Sequence, residues 1–244
     1  MNKKLRIDRI LANYGYASRA EAKVLVARHR VRIGSTIVRK PEELADPSEV
    51  SLDNEPIERP LGVLVMLNKP LGVVCSHDER EGDRIFDLVP ERWLRRNPQV
   101  VSAGRLDKDS TGLVVITDDY ALVHRLTSPK HHVNKVYEVQ VDGDITDSVV
   151  EKFASGTLLI ADDPVVCKPA KLELTTPRCA RVTLTEGRNR QLRRMFAACG
   201  LTVETLHRVA FGNLEIGTLA EGAWCDVEGS IETVTTVTSV ITSP

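Results

Sequence analysis

The sequence predicts an α+β protein in two parts: a small helix–helix–hairpin unit, followed by a larger domain with a mainly antiparallel mixed sheet. Beyond residue 62, apolar and β-branched strands outnumber the helices. Several of these strands follow one another without an intervening helix, which argues against a doubly wound parallel sheet. The chain has 244 residues, of which 42% are hydrophobic and 27% charged, so it has enough length and apolar content for two globular domains.

The N-terminal unit is predicted from helical spacing and turn residues. Apolar side chains at Ile7, Ile10 and Leu11 recur on one helical face, and Gly15 ends this helix. A capping box over residues 18–21, with the sequence Ser-Arg-Ala-Glu, begins a second helix. A hairpin follows, in which residues 31–33 and 36–38 are strands joined by a Gly-Ser turn.

Basic residues are concentrated in the same unit. Residues 1–40 carry eleven Lys and Arg against two acids, whereas residues 41–60 carry seven acids and one base. A basic head on a chain whose formal net charge is only −1 indicates a face for a polyanion, and nucleic acid is the commonest one. The cations that we expect to contact RNA in this unit are Arg6, Arg19, Lys23, Arg28 and Arg30.

The chain divides at an acidic, proline-containing stretch over residues 53–61, which is predicted to be a linker. We therefore expect domains over residues 1–58 and 62–230, followed by a β-prone, low-complexity tail over 231–244. In the second domain, the predicted strands cover residues 63–67, 100–102, 113–117, 136–141, 171–174, 181–185 and 203–206. The predicted helices cover residues 119–126, 145–154 and 189–199.

Several classes of function are disfavoured by missing motifs. The five cysteines are dispersed without a CxxC pair, which predicts a reduced cytoplasmic protein. The chain lacks a signal-type apolar segment and a run of eighteen apolar residues, so we expect no membrane association. Neither a phosphate-binding GxxxxGK[ST] loop nor a GxGxxG unit nor a metal motif is present. We expect no cofactor and no metal.

The loop around Asp107 is the strongest candidate for chemistry. It lies between two apolar strands, and it places the carboxylate between Arg105 and a Ser-Thr-Gly turn. Asp109 is only two residues away, too close along the chain for the opposed acid and base of a glycoside hydrolase, so it is predicted to brace the turn. A single carboxylate that acts on the ribose of a nucleotide fits this pattern best.

A second candidate segment covers residues 186–196, at a strand-to-helix turn. On the predicted helix, Arg193 lies beside the apolar stripe, and a buried arginine there needs an anionic partner. Asp107 is the expected partner, because the pair would hold the carboxylate ionised and fix its direction. Arg190 and Arg194 share another face, and we expect them to contact RNA phosphates.

A third candidate pair, Lys135 and Tyr137, lies on one side of a predicted strand. A tyrosine near a reactive Asp could stack on a base turned out of an RNA helix. Composition alone favours Tyr137 as an ordinary core residue.

Four motifs in this order resemble the pseudouridine synthase family over nearly the whole chain, to about residue 229. They are Leu67-Asn68-Lys69-Pro70, Gly104-Arg105-Leu106-Asp107, Lys135-x-Tyr137 and Arg190-Gln191-Leu192-Arg193-Arg194-Met195. The first fifty residues resemble an S4-type RNA-binding domain, and the combination is similar to the RsuA/RluB branch that acts on ribosomal RNA.

The resemblance implies a reaction and residue roles. Asp107 matches the essential Asp that acts on the ribose, by addition or by proton abstraction, as the uracil C–N bond breaks and the uracil rejoins through carbon 5. Tyr137 matches the residue that stacks on the uracil and is suspected to remove the carbon-5 proton, and Arg193 matches the basic partner of the Asp. Leu206 matches an aliphatic residue beneath the base. We expect four substrate-binding residues: Arg105, Lys135, Gln191 and Leu206.

Within that branch, the chain is most similar to enzymes of the small subunit, which implies uridine 516 of 16S rRNA as the target, in an assembling small subunit. Residues 189–194 resemble the large-subunit relatives instead, so 23S rRNA is the alternative. We expect a cytoplasmic monomer. Two rival interpretations are a non-catalytic ribosome-binding protein and a metal-dependent phosphotransferase or nuclease that uses Asp107 and Asp109.

Overall fold

The computed structural model describes residues 4–227, in which the chain forms two compact units. The first unit contains the described residues up to Leu64, together with Val89–Val101 and Ile116–Tyr120. The second contains Val65–Leu88, Ser102–Val115 and the described residues from Ala121 onward. The predicted α+β class is confirmed. The tail predicted over residues 231–244 lies outside the described residues.

The first unit combines short helices with short antiparallel strands. Its strands are β1 (Leu5–Arg6), β2 (Val31–Ile33), β3 (Thr36–Ile37), β4 (Leu44–Ala45), β5 (Val50–Leu52) and β6 (Glu55–Pro56). Its helices are α1 (Ile7–Asn13), α2 (Arg19–Ala27) and α3 (Glu91–Leu94). Strand β1 pairs with β4, and the other strands form a sheet in the order β3-β2-β5-β6.

The local signals of the sequence explain this unit. Ser18 accepts a hydrogen bond from the Glu21 backbone N–H at 3.2 Å, and Glu21 accepts one from the Ser18 N–H at 2.8 Å, so the predicted capping box starts α2. The predicted hairpin is present as β2 and β3. The apolar faces of the two helices, with Ile7, Ile10 and Val26, are buried in one core.

The predicted linker over residues 53–61 is partly wrong. Its first half forms β6, which pairs with β5, and the Ile57 N–H donates to the Val50 carbonyl at 3.0 Å. Ile57 is buried in the core of this unit. Proline at the sheet edge costs no ladder hydrogen bond, so the composition of a linker is compatible with an edge strand here.

The second unit is built on a large sheet. Its strands are β7 (Leu64–Lys69), β8 (Val101–Ala103), β9 (Thr111–Thr117), β10 (Lys135–Val141), β11 (Lys171–Thr176), β12 (Cys179–Leu184), β13 (Val203–Phe211), β14 (Leu214–Glu215) and β15 (Trp224–Asp226). The main path of the sheet is β11-β12-β10-β13-β9-β7-β15, while β14 pairs with β13 and β8 with β9. Strand β10 is antiparallel to both β12 and β13, whereas β13 runs parallel to β9.

In the described part of this unit, three α-helices accompany the sheet, each close to a predicted position. They are α4 (Tyr120–Thr127), α5 (Asp147–Ser155) and α6 (Gln191–Ala197). Helices α5 and α6 contact each other through Phe153 and Phe196, whose ring centroids are 4.8 Å apart. Between residues 4 and 227, no helix combines the length and the apolar character needed to cross a membrane.

Candidate active site

A cavity of about 460 Å³ lies in the second unit, where the β8–β9 loop, β10, β13 and the start of α6 meet. It is lined by residues from all three candidate segments. Seven predicted site residues line it: Arg105, Asp107, Lys135, Tyr137, Arg190, Gln191 and Leu206. Arg193 and Arg194 do not line the cavity. The five cations predicted to bind RNA in the first unit do not line it either.

The loop that carries Asp107 is held in place by its backbone. At Gly104, φ is +67°, and a Cβ there would lie 2.7 Å from the Phe211 ring, so only glycine fits without displacement. The Ser110 N–H donates to the Asp107 carbonyl at 3.1 Å, which closes the turn. Lys69 is fully buried, and its Nζ donates to the Ser110 carbonyl at 2.7 Å. The carboxylate of Asp107 therefore projects from a fixed turn.

Arg190 connects this loop to the start of α6. Its guanidinium donates to both carboxylate oxygens of Asp109, at 2.7 and 3.2 Å, and lies 3.7 Å from the Asp107 carboxylate. The hydrogen bonds from Arg190 lower the pKa of Asp109, against a smaller opposing effect of burial. Asp109 thus anchors the guanidinium that faces Asp107.

The expected pair of Arg193 with Asp107 is wrong. Arg193 donates to the backbone carbonyl of Asp109 at 2.7 Å and to that of Val203 at 2.9 Å, and its ion-pair partner is the Asp109 carboxylate at 3.4 Å. The prediction started the helix at residue 189, but α6 begins at Gln191. Arg190 therefore occupies a non-helical position, from which it reaches Asp107 in place of Arg193. The Asp109 carboxylate contacts these two arginines of another segment, and its role in bracing its own turn stays a prediction.

Two apolar side chains form walls of the cavity. Tyr137 on β10 and Leu206 on β13 are each 8% exposed. They lie on adjacent antiparallel strands, with Tyr137 opposite Arg208 and Leu206 opposite Val139. The Tyr137 hydroxyl makes no hydrogen bond to another residue of the described chain. A planar apolar group could enter between these walls, with a free hydroxyl beside it.

Two buried cations also line the cavity, Lys135 and Arg208, which are 7% and 1% exposed. Arg208 donates to the backbone carbonyls of Leu113 at 2.7 Å and Gly104 at 2.5 Å. The Lys135 Nζ donates to the Val133 carbonyl at 3.1 Å. Burial, reinforced by the positive charge of Arg208 and opposed by Glu186, lowers the pKa of Lys135 from 10.5 to about 8.

Gln191 and Arg194 are engaged within the protein. The Gln191 amide donates to the buried Glu186 carboxylate at 2.5 Å, and Glu186 also accepts from the Lys168 N–H and from Arg188. Arg194 donates to the backbone carbonyls of Asn189 and Ala161. These contacts hold the segments next to α6, so Arg194 is less available to RNA phosphates than predicted.

In the first unit, the expected RNA-binding cations surround acidic residues. Arg6 and Arg19 both bond to the buried Asp8, at 3.0 and 3.1 Å. Burial raises the pKa of Asp8, but the hydrogen bonds from these two arginines outweigh it and lower the pKa. Arg30 pairs with Asp53, while Lys23 and Arg28 are exposed. The guanidinium side chains of Arg6, Arg19 and Arg30 are 42%, 62% and 42% exposed, so they remain open to solvent.

The sequence analysis did not identify Arg208 as a site residue, nor did it predict the hydrogen bond from Lys69 to the Ser110 carbonyl. A signal for Arg208 was present, because it lies two residues after Leu206 on one strand and so shares its face. Within residues 4–227, no group of three or more His, Cys, Asp or Glu side chains is placed to hold a metal ion.

The chain matches two family models and several known proteins. The family model described as RNA pseudouridylate synthase matches residues 63–198, and the S4 domain model matches residues 5–51. Ribosomal small subunit pseudouridine synthase A of Escherichia coli (strain K12) is 38% identical over 216 residues, which cover 87% of this chain and 91% of that protein. A solved structure described as a pseudouridylate synthase is 35% identical, with a TM-score of 0.66, over 94% of this chain and 99% of that one.

A further relative is an uncharacterized RNA pseudouridine synthase of Bacillus subtilis (strain 168), which is 34% identical over 218 residues and covers 87% of this chain and 90% of that protein. The chain belongs to the RNA pseudouridylate synthase family. It is a pseudouridine synthase, an isomerase, with an N-terminal S4 domain, and the expected family resemblance is confirmed.

Proposed function

We propose that this protein converts one uridine of ribosomal RNA to pseudouridine, and that the target is uridine 516 of 16S rRNA. The observation that carries the proposal is the cavity in which Asp107, Tyr137 and Leu206 meet, in a chain 38% identical to a protein named for the small ribosomal subunit. The family resemblance supports the choice of uridine 516, and the alternative is a uridine of 23S rRNA.

In the proposed reaction, Asp107 is the residue that acts on the ribose. Its carboxylate either bonds to C1′ or takes the C2′ proton as the C1′–N1 bond breaks. The uracil then turns and C5 bonds to C1′, as the bond between Asp107 and C1′ breaks or the proton returns from Asp107 to C2′. The C5 proton then leaves and N1 gains a proton, so the product is an isomer of the substrate. Arg190, at 3.7 Å, orients the carboxylate, and Arg193 acts through its contacts with Asp109 as a positioning residue.

The apolar walls account for retention of the base between bond breaking and bond formation. Drawing a uridine out of its stack costs a few kcal/mol. Stacking on Tyr137 and packing against Leu206 offset part of that cost, and they exclude water that would otherwise trap the sugar intermediate. Arg105, Lys135 and Gln191 also line or support the cavity and complete the proposed substrate site.

The S4 domain supplies the proposed affinity for RNA. Its partly exposed cations Arg6, Arg19, Lys23, Arg28 and Arg30 would neutralise phosphates, which makes binding depend on salt. In the second unit, Arg190 and Arg194 have the same predicted role, although both already contact protein atoms. We propose that the protein acts as a cytoplasmic monomer on the assembling small subunit.

Mapping pseudouridine in 16S and 23S rRNA tests the proposal. A strain without the gene should lack pseudouridine at position 516 of 16S rRNA alone, and the wild-type gene should restore it. A gene with Asp107→Asn should not restore it. Asp147→Asn, an exposed carboxylate on α5, is the matched control and should restore it fully.

Other outcomes favour the rivals. Loss of a pseudouridine from 23S rRNA in the strain without the gene would show that the target lies in the large subunit. If the pseudouridine maps of both RNAs are the same with and without the gene, the non-catalytic ribosome-binding protein is the favoured interpretation. Complete inhibition of the purified protein by EDTA would favour the metal-dependent chemistry that uses Asp107 and Asp109.

A further inference from the structure

The two buried cations of the cavity lack a negative partner in the described chain. Lys135 and Arg208 form no ion pair within 4.0 Å in residues 4–227, and both contact the Phe211 ring, at 5.3 and 5.0 Å from its centroid. Their hydrogen bonds go to backbone carbonyls, one from Lys135 and two from Arg208. Two desolvated positive charges side by side are costly unless something negative joins them.

The neighbouring acids are occupied elsewhere. Glu186, in the segment after β12, faces Lys135 but accepts from Gln191, Arg188 and the Lys168 N–H. Asp107 lies on the β8–β9 loop and has Arg190 as its ion-pair partner. The positive charge of the cavity therefore exceeds what its own carboxylates offset, and the buried part of the excess lies at Lys135 and Arg208.

We propose that Lys135, supported by Arg208, stabilises the negative charge that appears on the uracil when its bond to the ribose breaks. This inference rests on the proposed function. As the C1′–N1 bond breaks, both electrons stay with the uracil, and the charge spreads over N1, O2 and O4. The cations bind this anion until C5 attacks C1′, and that bond makes the base neutral again. Loss of the C5 proton and protonation of N1 then complete the isomerisation without a net change in charge.

The arrangement suits a charge that exists only during the reaction. The two cations stabilise neutral uridine only slightly, whereas they stabilise the uracil anion strongly. This difference in stabilisation accelerates bond cleavage. Arg208 is fixed by its two carbonyl bonds, while the Lys135 Nζ has one such bond and can direct its other protons into the cavity. Lys135 is thus the better placed of the two to follow the base as it turns.

The test compares two leaving groups in small-subunit particles assembled from 16S transcripts that contain uridine or 5-fluorouridine. Fluorine at C5 withdraws electrons and stabilises the departing anion without help from the protein. Cleavage is followed under single-turnover conditions as loss of the N-linked nucleoside from nuclease digests. The variants are Lys135→Met, which keeps length but loses charge, and Lys135→Arg, which keeps charge. The matched control is Lys171→Met, an exposed strand lysine of the same sheet.

We expect Lys135→Met to slow cleavage of the uridine particle by about 100-fold or more, the usual loss when one charge-stabilising donor is removed. With 5-fluorouridine, the same variant should lose less than about tenfold. Lys135→Arg should recover part of the uridine rate, RNA affinity should be unchanged, and Lys171→Met should match the wild type.

Equal losses on the two RNAs would overturn the inference, because leaving-group charge would then be irrelevant to Lys135. A Lys135→Met rate equal to that of the wild type would overturn it as well. Wild-type protein that leaves the uridine particle unmodified would overturn the proposed function, and this inference with it.

Discussion

The guanidinium of Arg190 lies 3.7 Å from the carboxylate of Asp107, and its backbone is in the left-handed region, with φ 48° and ψ 32°. This conformation costs a non-glycine residue about 1 kcal/mol or more. This conformation is tolerated here because two hydrogen bonds to Asp109 hold the side chain against the β8–β9 loop. The strain is thus located at the residue that faces the proposed catalytic carboxylate.

Arg190→Ala should lower single-turnover pseudouridine formation by about 100-fold, because Asp107 loses its oriented partner. Alanine has the same backbone restriction, so the variant isolates the side chain. Arg193→Ala is the comparison, and it should chiefly reduce stability, by about 1–3 kcal/mol, through its lost bonds to the Asp109 and Val203 carbonyls. Single-turnover rates and urea unfolding curves of the two variants check both expectations. A larger rate loss in Arg193→Ala than in Arg190→Ala would contradict this assignment.

Lys135→Met should stabilise the folded protein at pH 7 while it reduces activity. The pKa of Lys135 falls from 10.5 to about 8 on folding, so below pH 8 the native state bears the cost of a buried charge. That cost is up to about 3 kcal/mol at 1.4 kcal/mol per pKa unit. Urea unfolding of the wild type and the variant measures it.

The pH dependence supplies the control for that measurement. Between pH 8 and 10.5 the native wild type releases the proton before the unfolded chain does, so its stability rises with pH relative to Lys135→Met. The advantage of the variant should therefore shrink between pH 7 and pH 9.5. A variant less stable than the wild type at pH 7 would mean that Lys135 contributes to the fold itself.

Gly112→Ala should destabilise the second unit by about 3 kcal/mol or more. A Cβ at this position would lie 2.3 Å from the carbonyl oxygen and 2.6 Å from the nitrogen of Arg208, where β9 and β13 approach each other. Gly217→Ala is the control, since φ there is also positive but no atom lies within 4 Å, and it should cost only about 1 kcal/mol. Thermal unfolding distinguishes them, and equal losses would refute the close-approach explanation.

Arg19→Ala combined with Lys23→Ala should weaken RNA binding without slowing conversion of bound RNA. The plot of log affinity against log salt concentration should become less steep, its negative slope decreasing in magnitude by about 2, or about one for each lost phosphate contact. Arg178→Ala with Arg181→Ala, two exposed arginines outside the S4 domain, is the control and should leave the slope unchanged. Filter binding at several salt concentrations measures it. An unchanged slope in the first variant would exclude these two cations from the RNA-binding face.

Runs of apolar and β-branched residues were enough to predict most strands of the sheet, because such side chains pack well on a buried sheet. Strand β10 was predicted over 136–141 and runs over Lys135–Val141. Strand β13 was predicted over 203–206 but continues to Phe211. Two polar residues, His207 and Arg208, resemble the end of a strand. They remain in it because His207 contacts Thr111 at 2.8 Å and Arg208 bonds to two carbonyls, contacts that only the assembled sheet supplies.

The motifs predicted which segments meet at the cavity, but not which arginine faces Asp107. The helical spacing that selected Arg193 applies only to residues within a helix, and Arg190 precedes α6. Its left-handed backbone is stabilised by contacts between segments more than eighty positions apart along the chain. Local sequence patterns do not predict contacts between distant segments, so the position of Arg190 beside Asp107 could be identified only from the three-dimensional structure.

In the proposed reaction, Asp107 drives exchange of the N1 bond for a C5 bond at one uridine. Release of tritium from small-subunit particles assembled with [5-³H]uridine-labelled 16S rRNA measures this directly, because C5 loses its hydrogen only when C5 bonds to C1′. Wild-type protein should release the label of one uridine per particle. Asp107→Asn should bind the particle and unfold like the wild type, yet release label at least about 10⁴-fold more slowly, in the range of losses at other essential catalytic groups. Release by Asp107→Asn at a rate within tenfold of the wild type would show that Asp107 is not the residue that acts on the ribose.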